Sequence, residues 1–159
     1  MVMSRAGVLL MLTGMAAFGQ KYTGPRPPKP DTPYLLHATN LVPTEAADAK
    51  EQTKKDDITY VIAGVNSSAK TPMASPIFLF QAEKIVPERL QLYKLEAKNG
   101  AREITFSKKK RGTPRAIRME VSRLGSDNLY RIEVDESLET GEYSITPEGS
   151  NQVFCFQVY

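Results

Sequence analysis

In Ile117-Arg118-Met119-Glu120-Val121-Ser122-Arg123, every second residue is apolar as far as Val121. Side chains of a β-strand alternate between its two faces, so this pattern predicts a strand with one buried and one solvent-exposed face. The same alternation recurs in residues 104–106, 129–134 and 143–146. One-sided strands of this kind are typical of antiparallel sheets, and the sequence therefore predicts an all-β protein.

Two further runs, residues 77–80 and 153–156, are apolar at every position. This composition predicts central strands that are covered on both faces. Asn99-Gly100 predicts a tight hairpin, and similar turn sequences separate the strands at intervals of roughly ten residues. Together these signals predict an antiparallel β-sandwich of about 7–9 strands over residues 34–159.

Two segments fit this pattern less simply. Within residues 90–98 the apolar phase shifts by one position near Tyr93, which predicts a β-bulge. Residues 44–55 begin acidic and end basic, an order that suits a short helix and its dipole. The segment has no wide apolar face, however, so a surface helix, a loop and a charged edge strand all remain open.

The N-terminal third of the sequence contains two segments outside the sandwich. Residues 1–19 have the layout of a signal peptide, with Arg5 followed by an apolar run over 6–18. That run is shorter than the ~20 residues of a membrane-spanning helix. We therefore expect export to the periplasm or the extracellular space, with no transmembrane span in the mature chain. Residues 20–33 contain five prolines and predict a semi-rigid linker.

Composition argues against several classes of function. The 21 basic and 18 acidic residues give a formal charge of +3, too small to favour nucleic acid as the partner. One cysteine and one histidine provide neither a disulfide nor a zinc site. A hydrolase would need to pair His37 with Cys155, but Cys155 lies between two phenylalanines, where a thiol is buried and inert. We expect no enzymatic activity and no cofactor.

Acidic residues cluster in 135–142, close to a turn. The cluster lacks the glycine-centred spacing of a calcium-binding loop, and a glycosidase pair would need a separation that the sequence does not specify. The absence of tryptophan also excludes a tryptophan platform for sugars. We interpret this segment as a solvated acidic turn.

A basic hairpin over residues 108–118 is the most distinctive charged feature. Its cations would attract an anionic surface, such as lipid headgroups, anionic glycans or the acidic face of another protein. The alternative is a solvated turn whose lysines protect a sheet edge from aggregation. The candidate polyanion-binding residues are Lys108, Lys109, Lys110, Arg111, Arg115 and Arg118.

The end of the chain carries a resemblance. The segments 138–145, with Gly141-Glu142-Tyr143 at their centre, and 153–158 resemble the last hairpin of Ig-like or transthyretin-like β-sandwich modules of exported bacterial proteins. The resemblance implies a β-sandwich in a bacterial envelope and supplies no catalytic residue. The expected function is a non-enzymatic binding or scaffold module for another envelope component, with polyanion or membrane-surface binding and hydrolysis as alternatives.

Overall fold

A computed structural model describes residues 21–109, 111 and 113–159. The predicted signal peptide, residues 1–19, and the candidate Lys110 lie outside the described residues. No helix within the described ranges has the length and apolar character that a membrane crossing needs.

The described residues form thirteen β-strands and one short 3₁₀-helix, Pro87–Arg89. The strands pack as two sheets, which confirms the predicted all-β sandwich. In chain order they are β1 (Tyr34–His37), β2 (Asn40–Pro43), β3 (Glu45–Asp48), β4 (Lys50–Lys54), β5 (Asp57–Ala63), β6 (Lys70–Thr71), β7 (Ile77–Gln81), β8 (Leu90–Lys98), β9 (Ala101–Ser107), β10 (Met119–Leu124), β11 (Leu129–Val134), β12 (Gly141–Pro147) and β13 (Gln152–Val158).

A five-stranded antiparallel sheet has the order β10-β11-β7-β1-β2. Its β7 is one of the two fully apolar runs, and it lies in the middle of the sheet as predicted. The second sheet has eight strands, in the order β3-β13-β12-β8-β9-β5-β4, and β6 pairs in parallel with β13. The main core lies between the two sheets, where the rings of Phe78 and Phe156 meet edge to face at 5.1 Å.

The eight-stranded sheet curls until its two ends meet. Its terminal strands, β3 and β4, are consecutive in the chain and are separated only by Ala49, which is buried. The sequence left a helix, a loop and an edge strand open for segment 44–55, and the structure shows an edge strand. Its first half, β3, pairs with β13, and its second half, β4, pairs with β5. Ala47 and Ala49 face the interior of the curled sheet, where there is room only for small side chains.

Curling gives the eight-stranded sheet a second core on its enclosed side. This second core contains Ala49, Ile62, Leu95, Ile104, Val153 and Cys155. It also explains why β8 changes apolar phase, since Leu90 and Leu92 face the main core whereas Tyr93 and Leu95 face the second core. The predicted β-bulge is wrong: residues 90–95 pair with β12 in unbroken register.

The pairing between β8 and β9 is incomplete. The predicted Asn99-Gly100 hairpin is present, with φ angles of +52° and +78° at its two central residues. Beyond it, β8 pairs with β9 only from Glu96 to Lys98; its earlier residues pair with β12, and Leu92 also forms an isolated bridge with Ile117. A split therefore opens in the wall of the eight-stranded sheet between residues 90–95 and 104–107.

The proline segment, which we define as residues 21–33, packs on the domain. The Asp31 N–H donates to the Gln81 carbonyl at 2.8 Å, and Pro27 and Pro33 are buried. Leu79 points away from the main core, opposite to Phe78 and Phe80, yet is only 1% exposed. The proline segment thus packs against the five-stranded sheet through contacts of Asp31 with residues 81–85 and of Arg26 with Asp127.

Candidate functional site

The basic segment 108–118 does not form a hairpin. It connects β9 in the eight-stranded sheet to β10 in the five-stranded sheet, and Ile117 pairs with Leu92 on the way. Lys108, Lys109 and Arg111 are exposed on this crossover. The predicted cations therefore lie on a connection between the sheets and not at the tip of a paired hairpin.

Two of the candidate cations are already paired with carboxylates. The Arg115 guanidinium donates to both oxygens of Glu136, at 3.0 and 2.9 Å, and Arg118 Nε lies 3.2 Å from an oxygen of Asp135. The hydrogen bond from Arg115 lowers the pKa of the Glu136 carboxyl, and the same contact raises the pKa of Arg115. The acidic turn thus anchors the basic segment. Because two of its cations are paired, the basic segment attracts an external anion less strongly than its sequence indicates.

His37 and Cys155 lie in different surroundings. The imidazole Nε2 of His37 is 3.0 Å from the hydroxyl of Thr71, whereas Cys155 lies in the second core with no exposed surface. Burial raises the pKa of the Cys155 thiol to about 12, although nearby Arg102 lowers it somewhat. At neutral pH the thiol is protonated, so it is a poor nucleophile.

A cavity of about 320 Å³ lies inside the curled sheet, next to the second core. Its walls come from β5, β8, β9, β12 and β13, and the turn 147–151 forms part of its rim. We call this space the enclosed cavity. Its volume falls within the range of about 300–1,000 Å³ that is typical of small-molecule sites.

Three aromatic side chains line one side of the enclosed cavity. The ring of Phe106 lies between Tyr93, at a centroid distance of 5.3 Å, and Tyr60, at 5.9 Å. Both pairs have the edge-to-face geometry that aromatic rings prefer. The contact between Phe106 on β9 and Tyr93 on β8 bridges the split where these strands are not hydrogen-bonded.

The enclosed cavity also has polar residues in its lining, among them Gln91, Ser150 and Asn151. The Thr146 hydroxyl is used within the fold, where it donates to the Gln152 carbonyl at 2.7 Å. Ser144, which also lines the cavity, is 3% exposed. Among the described lining residues Glu51 is acidic and none is basic. Burial raises the pKa of the Tyr93 phenol, and the charge of Glu148 raises it further.

The opposite end of the curled sheet is closed by Arg102, which is 1% exposed. Its guanidinium donates to the Gly64 carbonyl at 2.8 Å, to the Ser67 hydroxyl at 2.7 Å and to the Glu45 carboxylate at 2.5 Å. Ser67 in turn donates its hydroxyl and, at 3.1 Å, its N–H to the buried carboxylate of Glu142. This Arg102 network plugs one end, so the enclosed cavity has its entrance at the other.

Sequence reasoning missed both the enclosed cavity and Arg102. The phase change in β8 was a signal, because a strand with apolar residues on both faces needs two layers to cover it. Arg102 also gave a signal, because the alternation in β9 places it on the same face as the apolar Ile104 and Phe106.

Comparison with known protein families, with curated proteins and with solved structures gives no match. The resemblance to Ig-like and transthyretin-like modules therefore stays a prediction. No group of three or more metal-ligating side chains converges among residues 21–109, 111 and 113–159.

Proposed function

We propose that this chain is a non-enzymatic binding module of the cell envelope, and that the enclosed cavity is its binding site. The observation that carries this proposal is an aromatic-walled space of about 320 Å³ inside a folded sheet, closed at one end by the Arg102 network. Binding sites for small molecules are concave, largely apolar and furnished with a few polar groups. The place in the envelope is supported by the signal-like residues 1–19 in the sequence.

The surroundings of the two nucleophile candidates favour binding over hydrolysis. Cys155 is protonated and fully buried, and His37 contacts Thr71 instead of the thiol. Covalent catalysis needs a nucleophile within hydrogen-bond reach of its base. A protein with this arrangement contributes a surface and a cavity to its partner and no covalent chemistry through these two residues.

The proposal is tested by filling the cavity. The purified protein is incubated with the small-molecule extract of the envelope fraction, and retained compounds are detected by mass spectrometry. We expect a compound retained by the parent protein and lost from Ser144→Leu, whose larger side chain occupies the cavity. The control Ser122→Leu adds the same side chain at an exposed position on β10 and keeps the compound. Equal retention by both variants, or no retention by the parent protein, contradicts the proposal.

A second candidate function is binding to an anionic surface through the basic segment. The observation in its favour is that Lys108, Lys109 and Arg111 are exposed and form no ion pair with a described residue. Exposed cations attract polyanions, and salt screens the attraction.

Anionic liposomes test this second candidate. Glutamine at Lys108, Lys109 and Lys110 is expected to abolish salt-sensitive binding to the vesicles. Glutamine at Arg115 and Arg118 is the matched control and has the smaller effect, because these cations are already paired with Glu136 and Asp135. Unchanged binding by the lysine variant contradicts this candidate function.

A further inference from the structure

We propose that the occupant of the enclosed cavity is a small aromatic molecule that carries no negative charge. This inference rests on the proposed function and adds the chemical class of the ligand. It follows from four properties of the cavity: its shape, its aromatic wall, its charge and one hydroxyl in its lining.

The shape favours a compact ligand over a peptide chain. The cavity of about 320 Å³ lies at the lower end of the range for ligand sites, which fits a compact molecule of up to three rings. The Arg102 network closes the far end with hydrogen bonds of 2.5 to 2.8 Å. An extended chain has no path through the sheet, so the ligand enters and leaves by one mouth.

The wall favours an aromatic ligand. Tyr60, Tyr93 and Phe106 all line the cavity, and their mutual edge-to-face contacts fix their orientations. A flat ring that enters beside them extends this cluster, and each such aromatic pair is worth about 0.5–1.5 kcal/mol beyond the area buried. An aliphatic ligand of equal size gains the burial without the aromatic contact.

The charge disfavours an anion. The exposed carboxylate of Glu51 lies at the edge of the lining, and the exposed Glu148 is close enough to Tyr93 to act on its phenol, whereas no lysine or arginine is among the described lining residues. A carboxylate or sulfonate in the cavity would meet like charge, without a cation to compensate for its lost hydration. A neutral or cationic ring meets no such penalty.

Ser144 supplies a polar anchor on β12. Its side chain is on the same face as Tyr93 and Cys155, with which it is in register on the neighbouring strands, and it is almost fully buried. The Ser144 side chain is part of the cavity lining. Its hydroxyl can donate a hydrogen bond to, or accept one from, a ligand amine, hydroxyl or ring nitrogen.

Two fluorescent probes with the same ring skeleton test the inference. Phenylnaphthylamine is neutral, and anilinonaphthalene sulfonate carries one added sulfonate. We expect the neutral probe to bind with one-to-one stoichiometry and the sulfonate to bind about tenfold more weakly or not at all. Replacing both Glu51 and Glu148 by glutamine should reduce the ratio of the two probes' affinities severalfold. The control has glutamine at Glu83 and Glu120, two exposed residues that do not line the cavity, and should leave the ratio unchanged.

The outcomes separate the two proposals. If neither probe binds, or if Ser144→Leu binds the neutral probe as well as the parent protein does, the cavity is not the binding site and the proposed function is wrong. If both probes bind equally and Ser144→Leu abolishes both, the site stands and the inference about charge is overturned. A near-ultraviolet circular dichroism spectrum that matches the parent shows that each variant is folded.

Discussion

Arg102 places a full positive charge inside the curled sheet, where the residue is 1% exposed. It faces two carboxylates, Glu45 at 2.5 Å and Glu142 at 3.9 Å, and every group of the guanidinium is hydrogen-bonded. A buried ion pair of this kind contributes little net free energy compared with an apolar core. Removing one partner is costly, however, because the other charge is left buried.

Arg102→Met is therefore expected to lower the free energy of unfolding by about 3–5 kcal/mol, as measured by urea denaturation. Its matched control is Arg115→Met, which removes a fully exposed guanidinium and should leave the denaturation midpoint unchanged. Adding Glu142→Gln to Arg102→Met should restore part of the loss, because it removes the uncompensated charge. An Arg102→Met protein as stable as the parent would contradict the role of the Arg102 network.

Cys155 offers a second test at the level of a single residue. Because burial raises the pKa of its thiol to about 12, the thiol is protonated and shielded in the native state at pH values far below 12. We expect no reaction with a thiol reagent under native conditions at mildly alkaline pH, and complete reaction in denaturant. The measurement is the release of the reagent's chromophore, and rapid reaction of the folded protein would show that the second core is open to solvent.

The proline segment is the element whose packing on the domain differs most from what its sequence predicts. Its anchor is the carboxylate of Asp31, which accepts N–H groups from Glu83 at 2.9 Å, Lys84 at 3.0 Å and Ile85 at 3.1 Å. Burial raises the pKa of Asp31, but these three hydrogen bonds and the charge of Lys84 outweigh it, so the pKa is lower than the ordinary value of 3.8. The anchor therefore contributes stability above that value and loses it as the pH falls through the lowered pKa.

This sign predicts a titration. In nuclear magnetic resonance spectra, the amide protons of Glu83, Lys84 and Ile85 should shift together as the pH is lowered, with a midpoint below 3.8. Residue 31 has a left-handed backbone, with φ of +53°, which asparagine adopts as readily as aspartate. Asp31→Asn therefore removes the charge and leaves the backbone conformation in place. It should abolish the shared titration. A midpoint at or above 3.8 in the parent protein contradicts the anchor.

What the sequence predicts well is local. Strand alternation, the two fully apolar strands and the Asn99-Gly100 turn are all properties of neighbouring residues, and each is found where expected. The packing of the proline segment could not be predicted, because nothing in its own residues shows that Leu79, some fifty positions later, needs a cover. The enclosed cavity could not be predicted for the same reason. It forms only when β3 pairs with β13 and Phe106 contacts Tyr93.

The part of the chain that the structure describes has three layers: the proline segment, the five-stranded sheet and the curled sheet. A chain that starts at Tyr34 exposes the outer face of the five-stranded sheet, where Tyr34 and Leu79 are 4% and 1% exposed in the intact protein. We expect it to be less stable by at least about 2 kcal/mol and to self-associate, because a fully buried apolar side chain contributes about 1.5–3 kcal/mol. Denaturation and light scattering measure these effects.

The comparison for this truncation is Arg26→Gln, which removes the ion pair with Asp127 and the cation–π contact with Tyr22 but keeps the rest of the proline segment. It should remain monomeric and close to the parent in stability. A chain starting at Tyr34 that is as stable and as soluble as the parent would show that the outer face needs no cover.

Closure of the curled sheet links the two ends of the polypeptide. β3 begins at Glu45, and its partner β13 begins at Gln152, more than a hundred positions later. During translation this pairing has to wait until residues 152–158 have left the ribosome, so a chain that stops before Gln152 leaves β3, β6 and β12 without this neighbour. Such a fragment would expose the apolar interior of the curled sheet to quality-control proteases. Pairing with β13 buries that surface.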